Sequence, residues 1–348
     1  MKVMLAMSGG VDSSVAGALL LRDGHEVVGV TMKLWGGDSD TGCCSVSDVD
    51  DARRVAQQLD IDHLVFNFGD DFDAHVVDPY VRDHALGVTP NPCIECNRHV
   101  KFDRLLVRAE QLGFDAVATG HHARVGRTCD GSLTLERGAD AAKDQSYVVH
   151  MLDQAALART MFPVGDIDKT EVRRLAAEMG LRTASKPDSQ DVCFITSTGG
   201  RETFLGDRIS FRPGRVVDTG GEVLGQVDAV EMITIGQRRG VGLPGGGPKR
   251  YVVDVDVPNA TVVVGDDDDL MRATMLVERP TWVDAPVDGQ VLVQCSAHGR
   301  PQPARITTDA TSVGVDWNQP QRRIAPGQSV VFYDLADRCV LGGGTATR

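Results

Sequence analysis

Short apolar runs alternate with amphipathic stretches over the first third of the chain. Val3–Ala6, Val27–Thr31, Leu64–Phe68 and Ala116–Thr119 read as strands. Between them, Ser13–Arg22, Ser47–Leu59, Phe72–Leu86 and Lys101–Leu112 carry apolar residues at helical spacing. Val15, Leu19 and Leu20 mark the first of these, which ends near Gly24. Such alternation predicts the α/β class, with a parallel sheet covered by helices on both faces. Ligands of such sheets bind beyond the carboxyl ends of the strands. The glycine stretch after Val3–Ala6, the Met32 region and Gly120-His121-His122 all follow predicted strands, so they should converge on one crevice.

The pattern continues with a hairpin over Ala123–Glu136 and helices around Ser146–Met151 and Lys169–Met179, the last ended by Gly180. After Cys193-Phe194-Ile195 the texture changes, and Ser197-Thr198-Gly199-Gly200 reads as a boundary. From Phe211 to about residue 270 short β-type runs are punctuated by Gly and Pro. Asp266–Asp269 reads as a solvated turn. Met275–Val277, Gln290–Ser296, Ala304–Thr308, Ser312–Val315, Ser329–Tyr333 and Arg338–Gly342 then have the spacing of a small barrel. The expected organisation is a catalytic α/β domain over 1–198, a small central β-rich domain over 199–271 and a C-terminal β-barrel over 272–348.

Composition sharpens this little. A chain of 348 residues suits two or three domains, and 42% hydrophobic residues are enough for real cores. No apolar run reaches the length of a membrane span, and the N-terminus shows no signal-peptide pattern. The expectation is a cytoplasmic protein whose eight cysteines stay reduced and serve packing, metal binding or catalysis. The net charge of −13 argues against a nucleic-acid partner only if it is summed. Residues 272–348 hold eight Arg, no Lys and seven Asp or Glu, so the acidic excess lies in the first two thirds. Arg238-Arg239 and Arg322-Arg323 are clusters that can face a phosphate backbone. Charge alone does not decide the partner.

The chemistry begins at Ala6-Met7-Ser8-Gly9-Gly10-Val11-Asp12-Ser13-Ser14, a glycine loop between a strand and a helix. That geometry aims backbone N–H groups and a helix dipole at one point, where a phosphate can sit. Gly9 and Gly10 let an anion approach the backbone, and Ser8, Ser13 and Ser14 add hydroxyls. It is neither a Walker A loop nor G-x-G-x-x-G. Ser-Gly-Gly-x-Asp-Ser here resembles the pyrophosphate loop of N-type ATP pyrophosphatases, which split ATP into AMP and pyrophosphate. Two thiol motifs follow. Cys93 and Cys96 stand in Pro90-Asn91-Pro92-Cys93-Ile94-Glu95-Cys96, where the two prolines favour a fixed loop. Arg98, His99 and Lys101 can lower the pKa of a nearby thiol. Cys193 stands in Asp188-Ser189-Gln190-Asp191-Val192-Cys193-Phe194-Ile195, with a buried structural thiol as the alternative. Cys43-Cys44 read as loop thiols, and Cys129, Cys295 and Cys339 as packing residues.

Taken in order, these motifs, with Ala118-Thr119-Gly120-His121, Lys143-Asp144-Gln145-Ser146-Tyr147 and Gly236-Gln237-Arg238-Arg239-Gly240, resemble the tRNA-specific 2-thiouridylase (MnmA/TrmU) family over nearly the full length. The resemblance implies an N-terminal parallel-sheet PP-loop (adenine nucleotide alpha hydrolase-like) domain, then a small β-rich domain and a β-barrel. It implies that ATP, with Mg²⁺, adenylates the 2-carbonyl of a tRNA wobble uridine. A cysteine persulfide then supplies sulfur, releasing AMP. Carried over by motif, Cys193 holds the persulfide and Cys96 is the partner nucleophile, the two forming a disulfide. Ala6, Met7, Ser8, Gly9, Gly10, Val11, Asp12, Ser13, Met32 and Gly120 bind ATP. Asn91, Pro92 and Cys93 face the target base, and His121, Lys143, Asp144, Gln145 and Gln328 touch tRNA. The implied partners are tRNAs of the Lys, Glu and Gln type and a cysteine desulfurase or sulfur carrier. Asp12 is placed near the phosphates, through Mg²⁺.

Two positions depart from the family pattern. Many members carry Asp, a proposed general acid/base, where this chain has Cys93. A thiol does not simply replace a carboxylate. Cys93, Cys96 and Cys193 are therefore also readable as ligands of an iron–sulfur cluster, in which a cluster-bound sulfide replaces the persulfide. Ser296-Ala297-His298 stands where a more basic tRNA-contacting strand is expected. Two readings of other classes stay open: an ATP pyrophosphatase ligase acting on a small metabolite, with no need of Cys193, and a non-catalytic nucleotide-binding module.

Overall fold

The computed structural model describes residues 1–34, 46–188, 192–195, 200–244 and 247–347. Cys43-Cys44, Ser189-Gln190-Asp191 and most of the expected boundary at Ser197–Gly200 lie outside the described residues.

Val3, Met4 and Leu5 are fully buried, so strand β1 (Lys2–Ala6) is central to its sheet. It pairs in parallel with β2 (Glu26–Lys33), which pairs with β3 (His63–Asn67). On its other side β1 pairs with β4 (Ala116–Ala118). After a hairpin, β5 (Ala123–Arg127) and β6 (Leu133–Arg137), a two-residue strand β7 (Thr160–Met161) completes the order β3-β2-β1-β4-β7. The pattern did not reveal β7, because two residues carry no periodicity. Side chains alternate across the sheet and divide the core. Met4, Ala6, Val30 and Met32 enter one cluster; Val3, Leu5, Met7 and Val27 enter the other. Helices Val11–Arg22, Val46–Gln58 and Lys169–Glu178 cover the second face. The first face is covered by residues between Phe72 and Phe114 and by Phe194. The chain reaches β2 and β3 on one side of β1 and β4 and β7 on the other. The topological switch point thus falls between β1 and β4, flanked by Met7–Gly10 and Thr119–His122.

The stretch expected as a proline-fixed loop is instead the start of a helix. Pro92 occupies the first turn of Pro92–Glu95, where its missing N–H has no intrahelical partner to lose, and Asn91 caps it by accepting from Cys93 N at 3.2 Å. The helix continues through a π segment, Cys96–Arg104, and an α segment, Leu105–Gln111. At the junction Leu105 N bonds Val100 O, five residues back, a widening that recurs at functional sites.

The central region is a four-stranded sheet, β8 (Gly214–Asp218), β9 (Val223–Val227), β10 (Tyr251–Asp256) and β11 (Thr261–Gly265), in the order β10-β11-β8-β9. The last strands are β12 (Met271–Trp282), β13 (Gly289–Gln294), β14 (Gln302–Thr308), β15 (Ser312–Arg322), β16 (Ser329–Tyr333) and β17 (Cys339–Ala346). They run β12-β15-β14-β13-β16-β17, and β12 pairs again with β17 to close a barrel. β12 and β15 extend beyond their expected spans because much of the added length is exposed and polar.

The β5–β6 hairpin does not pair with the parallel sheet. It joins the barrel through β17, with Glu136 opposite Cys339 and Leu135 opposite Val340. Ile94, Phe102, Leu135 and Tyr147 share one apolar cluster with Val331, Tyr333 and Val340. Arg137 staples the joint: it donates to Asp144 at 2.7 Å, Gln294 at 2.8 Å and Asp337 at 2.6 Å, and lies 3.8 Å over the Tyr333 ring. A planar guanidinium can serve these directions at once. The thiol helix and the barrel are therefore packed against each other.

Candidate nucleotide and thiol site

The loop after β1 is built for close approach. Gly9 takes φ +70, and a Cβ there would sit 2.4 Å from the Asp48 carbonyl oxygen. Gly10 precedes the helix without a side-chain cap, so the first helical N–H groups keep their anion-binding character. Gly120 packs from the β4 side; a Cβ there would stand 2.6 Å from Ser13 N. The hydroxyls are used otherwise than expected. Ser13 and Ser14 donate back to the Gly10 carbonyl, at 3.2 and 2.7 Å, as hydroxyls in a first helical turn do. Ser8 remains exposed. Met32 is buried on the sheet face shared with Met4, near the end of β2.

Asp12 is engaged by two side chains. Lys169 Nζ lies 2.7 and 2.6 Å from its two oxygens, and His122 Nε2 lies 3.0 Å from Oδ1. Burial raises its carboxyl pKa, but the bonds from His122 and Lys169 outweigh this and hold it below the usual range. Lys169 also reaches Asp188 at 2.9 Å, which Lys143 and Arg173 engage at 2.8 Å each. Sequence reasoning assigned no role to Lys169, Asp188 or His122. A lysine directly after the helix cap Asp168 was the available signal.

The thiols lie against one apolar cluster. Cys96 is 6% exposed within it, and Cys193, half-buried, packs on its edge. Cys193 sits in a turn closed by Ile195 N donating to Val192 O at 3.0 Å. The anchor of that turn is Phe194, whose ring stands 5.7 Å from Phe72, 5.4 Å from Tyr80 and 5.0 Å from Phe204. Cys93 is exposed. Both Cys96 and Cys193 are thiols in this structure, not a disulfide. Among the described residues, Cys93, Cys96 and Cys193 do not form a three-ligand group that could hold a metal ion.

The residues carried over as RNA contacts fall into two groups. Gln145 exchanges bonds with His122, accepting from its N at 2.9 Å and donating to its O at 2.8 Å, so Lys143-Asp144-Gln145 stands beside the nucleotide loop. Asp144 is turned inward, accepting from Arg137, Gly138 N and Ser146. His121 bonds Thr119 Oγ1 at 2.7 Å between Phe102 and Phe162, and burial pushes it down to about 3, so it is neutral at ordinary pH. Asn91 and Pro92 instead line a cleft of about 390 Å³ between the thiol helix and the barrel, with Glu95, His99, Arg279 and Gly327. Gln328 is next to it, donating to Thr89 O at 2.6 Å.

His99, expected only as a cation near a thiol, also lines that cleft. It lies 3.4 Å from both Glu95 and Asp103 and stacks on His75 at 4.8 Å. Bonds to Asp103 and Glu95 raise it to about 9. The raised value means these pairs stabilise fully below pH 6.5, the imidazole's ordinary value, and lose this as pH rises through about 9. A His99→Gln protein is expected to be less stable than the parent in urea near pH 6 and equal to it near pH 10.

A parallel sheet with an uncapped glycine loop at its switch point and a thiol-bearing helix packed on one face defines an α/β enzyme of the PP-loop, ATP-using class. Three family models match nearly the whole length: a tRNA methyl transferase HUP domain over residues 1–197, a tRNA methyl transferase PRC-barrel domain over 202–266 and an aminomethyltransferase beta-barrel domain over 272–346. The chain belongs to the tRNA-specific 2-thiouridylase family. The tRNA-specific 2-thiouridylase MnmA of Roseiflexus castenholzii is 46% identical over 373 residues, covering 100% of this chain and 99% of the relative. That of Chloroflexus aurantiacus is 45% identical over 355 residues, covering 99% and 98%. The methyltransferase wording of the domain models yields to these full-length matches. Among solved structures, the U34-tRNA thiolase NcsA from Methanococcus maripaludis, with its [4Fe-4S] cluster, is similar at TM-score 0.35 and 17% identity, over 55% of this chain and 61% of that one. Likeness at that level says nothing about this chain's cysteines. No helix among the described residues is long and apolar enough to cross a membrane.

Proposed function

We propose that this chain is an ATP-dependent tRNA sulfurtransferase that converts the 2-oxo group of a wobble uridine to 2-thio. The observation that carries the reading is the pairing of two half-sites on one sheet. A phosphate-accepting loop lies at the switch point, and two thiols pack against the face that carries Met4, Ala6 and Met32. ATP enters as its magnesium complex and adenylates the uridine O2, turning a poor leaving group into AMP. The pyrophosphate leaves from the glycine loop. Cys193, charged as a persulfide by a cysteine desulfurase or sulfur carrier, attacks C2 with its terminal sulfur, and AMP departs. Cys96 then attacks the Cys193 sulfur, releasing 2-thiouridine and leaving a disulfide. A cytoplasmic thiol reductant supplies the two electrons that restore both thiols. Asn91, Pro92 and Cys93 hold the base, while His121, Lys143, Asp144, Gln145 and Gln328 serve the tRNA. The half-exposed position of Cys193 suits loading by a donor. Domain limits of 1–198, 199–271 and 272–348 accompany this reading.

Thionucleoside analysis of bulk tRNA from cells with and without the gene tests it. Loss of 2-thiouridine from the Lys, Glu and Gln tRNAs is expected in the deletion strain. An unchanged content would sink the reading.

A further inference from the structure

Residues 6–14 contain no Lys or Arg, yet a triphosphate brings several negative charges to them. Among the described residues, Lys169 is the one Lys or Arg in ion-pair contact with this loop, through Asp12. Its placement breaks two local rules. A cation at the first position of a helix opposes the macrodipole, and lysine ammonium groups seldom stay buried. Lys169 opens the helix Lys169–Glu178 and is only 9% exposed. Conflicts of this kind concentrate at functional sites.

Lys143, Lys169 and Arg173 pair with two carboxylates, Asp12 and Asp188, while a third, Asp140, accepts from the Lys169 backbone N at 3.0 Å. Asp12 and Asp188 are ionised at neutral pH: burial raises Asp188, but Lys143 and Lys169 pull it down to about 2, and Asp12 is likewise lowered. If Lys169 turns to a phosphate, Asp188 keeps Lys143 and Arg173, and Asp12 keeps His122 at 3.0 Å. No carboxylate is stranded, so the exchange avoids the usual penalty of breaking a buried pair. The hydroxyls of Ser13 and Ser14 are already spent on Gly10 O. His122 is 2% exposed, and its Nδ1 has no hydrogen-bond partner among the described residues, so the cluster also keeps an unspent polar atom.

We infer that Lys169 is the phosphate-binding cation of the nucleotide site, stored on Asp12 and Asp188 and passed to the triphosphate when ATP enters. Asp12 is then a positioning residue. The inference rests on the ATP-dependent reading above.

Calorimetric titration of the full chain with ATP and with adenosine, without tRNA, tests it. Lys169→Met should weaken ATP binding by about 10–100-fold, the range for a lost charged hydrogen bond, and leave adenosine binding unchanged. Lys169→Arg should recover most of the loss. Unchanged ATP affinity in Lys169→Met, or an equal loss for ATP and adenosine, overturns the inference. Asp188→Asn gives a second arm should Lys169→Met not fold: releasing the cations should tighten ATP binding, and weaker binding counts against the proposal. A parent protein that binds no ATP at all removes the ATP-dependent reading itself, and this inference with it.

Discussion

Cys193→Ser protein is expected to lose tRNA thiolation by at least about 10³-fold while binding ATP as tightly as the parent, since removal of a covalent nucleophile costs at least that much. The substitution is nearly isosteric, and Cys193 only half enters the apolar cluster. The turn around it is held by Phe194 against Phe72, Tyr80 and Phe204, which the change does not touch. A serine hydroxyl cannot carry transferable sulfur, so the loss is chemical. Cys96→Ser is expected to be equally inactive but to differ in what accumulates. Its Cys193 should stay joined to the tRNA through the transferred sulfur, detectable as a covalent protein–tRNA species that a thiol reductant releases, because the thiol that resolves it is gone. Thiolation surviving in Cys193→Ser would remove the persulfide route. The same conclusion would follow from one iron–sulfur cluster per chain in anaerobically purified parent protein.

The second large effect is expected at a residue with no functional group. Gly120→Ala should weaken ATP binding by about 10²-fold, the order of loss that a misplacement of about 1 Å produces at a reacting site. A Cβ on Gly120 would lie 2.6 Å from Ser13 N and 2.8 Å from the Asp12 carbonyl carbon. Both are backbone atoms at the start of a helix, so neither can swing aside. The helix must move away from β4, and the N–H groups that face the phosphates move with it. Overpacking of this kind also costs about 1–3 kcal/mol of stability, so thermal unfolding should shift alongside the calorimetric affinity. Gly247→Ala, where a new Cβ meets nothing within 4 Å, is the control and should change neither. ATP affinity unchanged in Gly120→Ala would mean that the two loops do not jointly form the nucleotide site.

The parallel sheet was legible because its strands and helices announce themselves by periodicity. Four of its five strands fall where the apolar runs placed them; β7 was missed because two residues cannot show a period. The Asn91–Cys96 stretch was misread for a definable reason. Proline excludes a helix from continuing through it but favours one that begins at it, and the sequence shows the ring without showing which side the helix lies on. The partners of Asp12 were hidden for another reason: Lys169 and His122 are 157 and 110 positions away. The hairpin at Ala123–Arg127 and Leu133–Arg137 was visible, but its attachment to a barrel strand some 200 residues later was not.

Local pattern thus determined the elements, the loop chemistry and the order of the motifs, since each depends on residues within a turn or two of one another. Only the tertiary structure decided which face of the sheet bears the thiols. It also placed Arg137 and the β5–β6 hairpin at the joint with the barrel, and set a buried lysine beside the nucleotide loop. Those are long-range pairings of charge and apolar surface. Their free energy exists only once distant segments are desolvated together, so no stretch of the chain carries it alone.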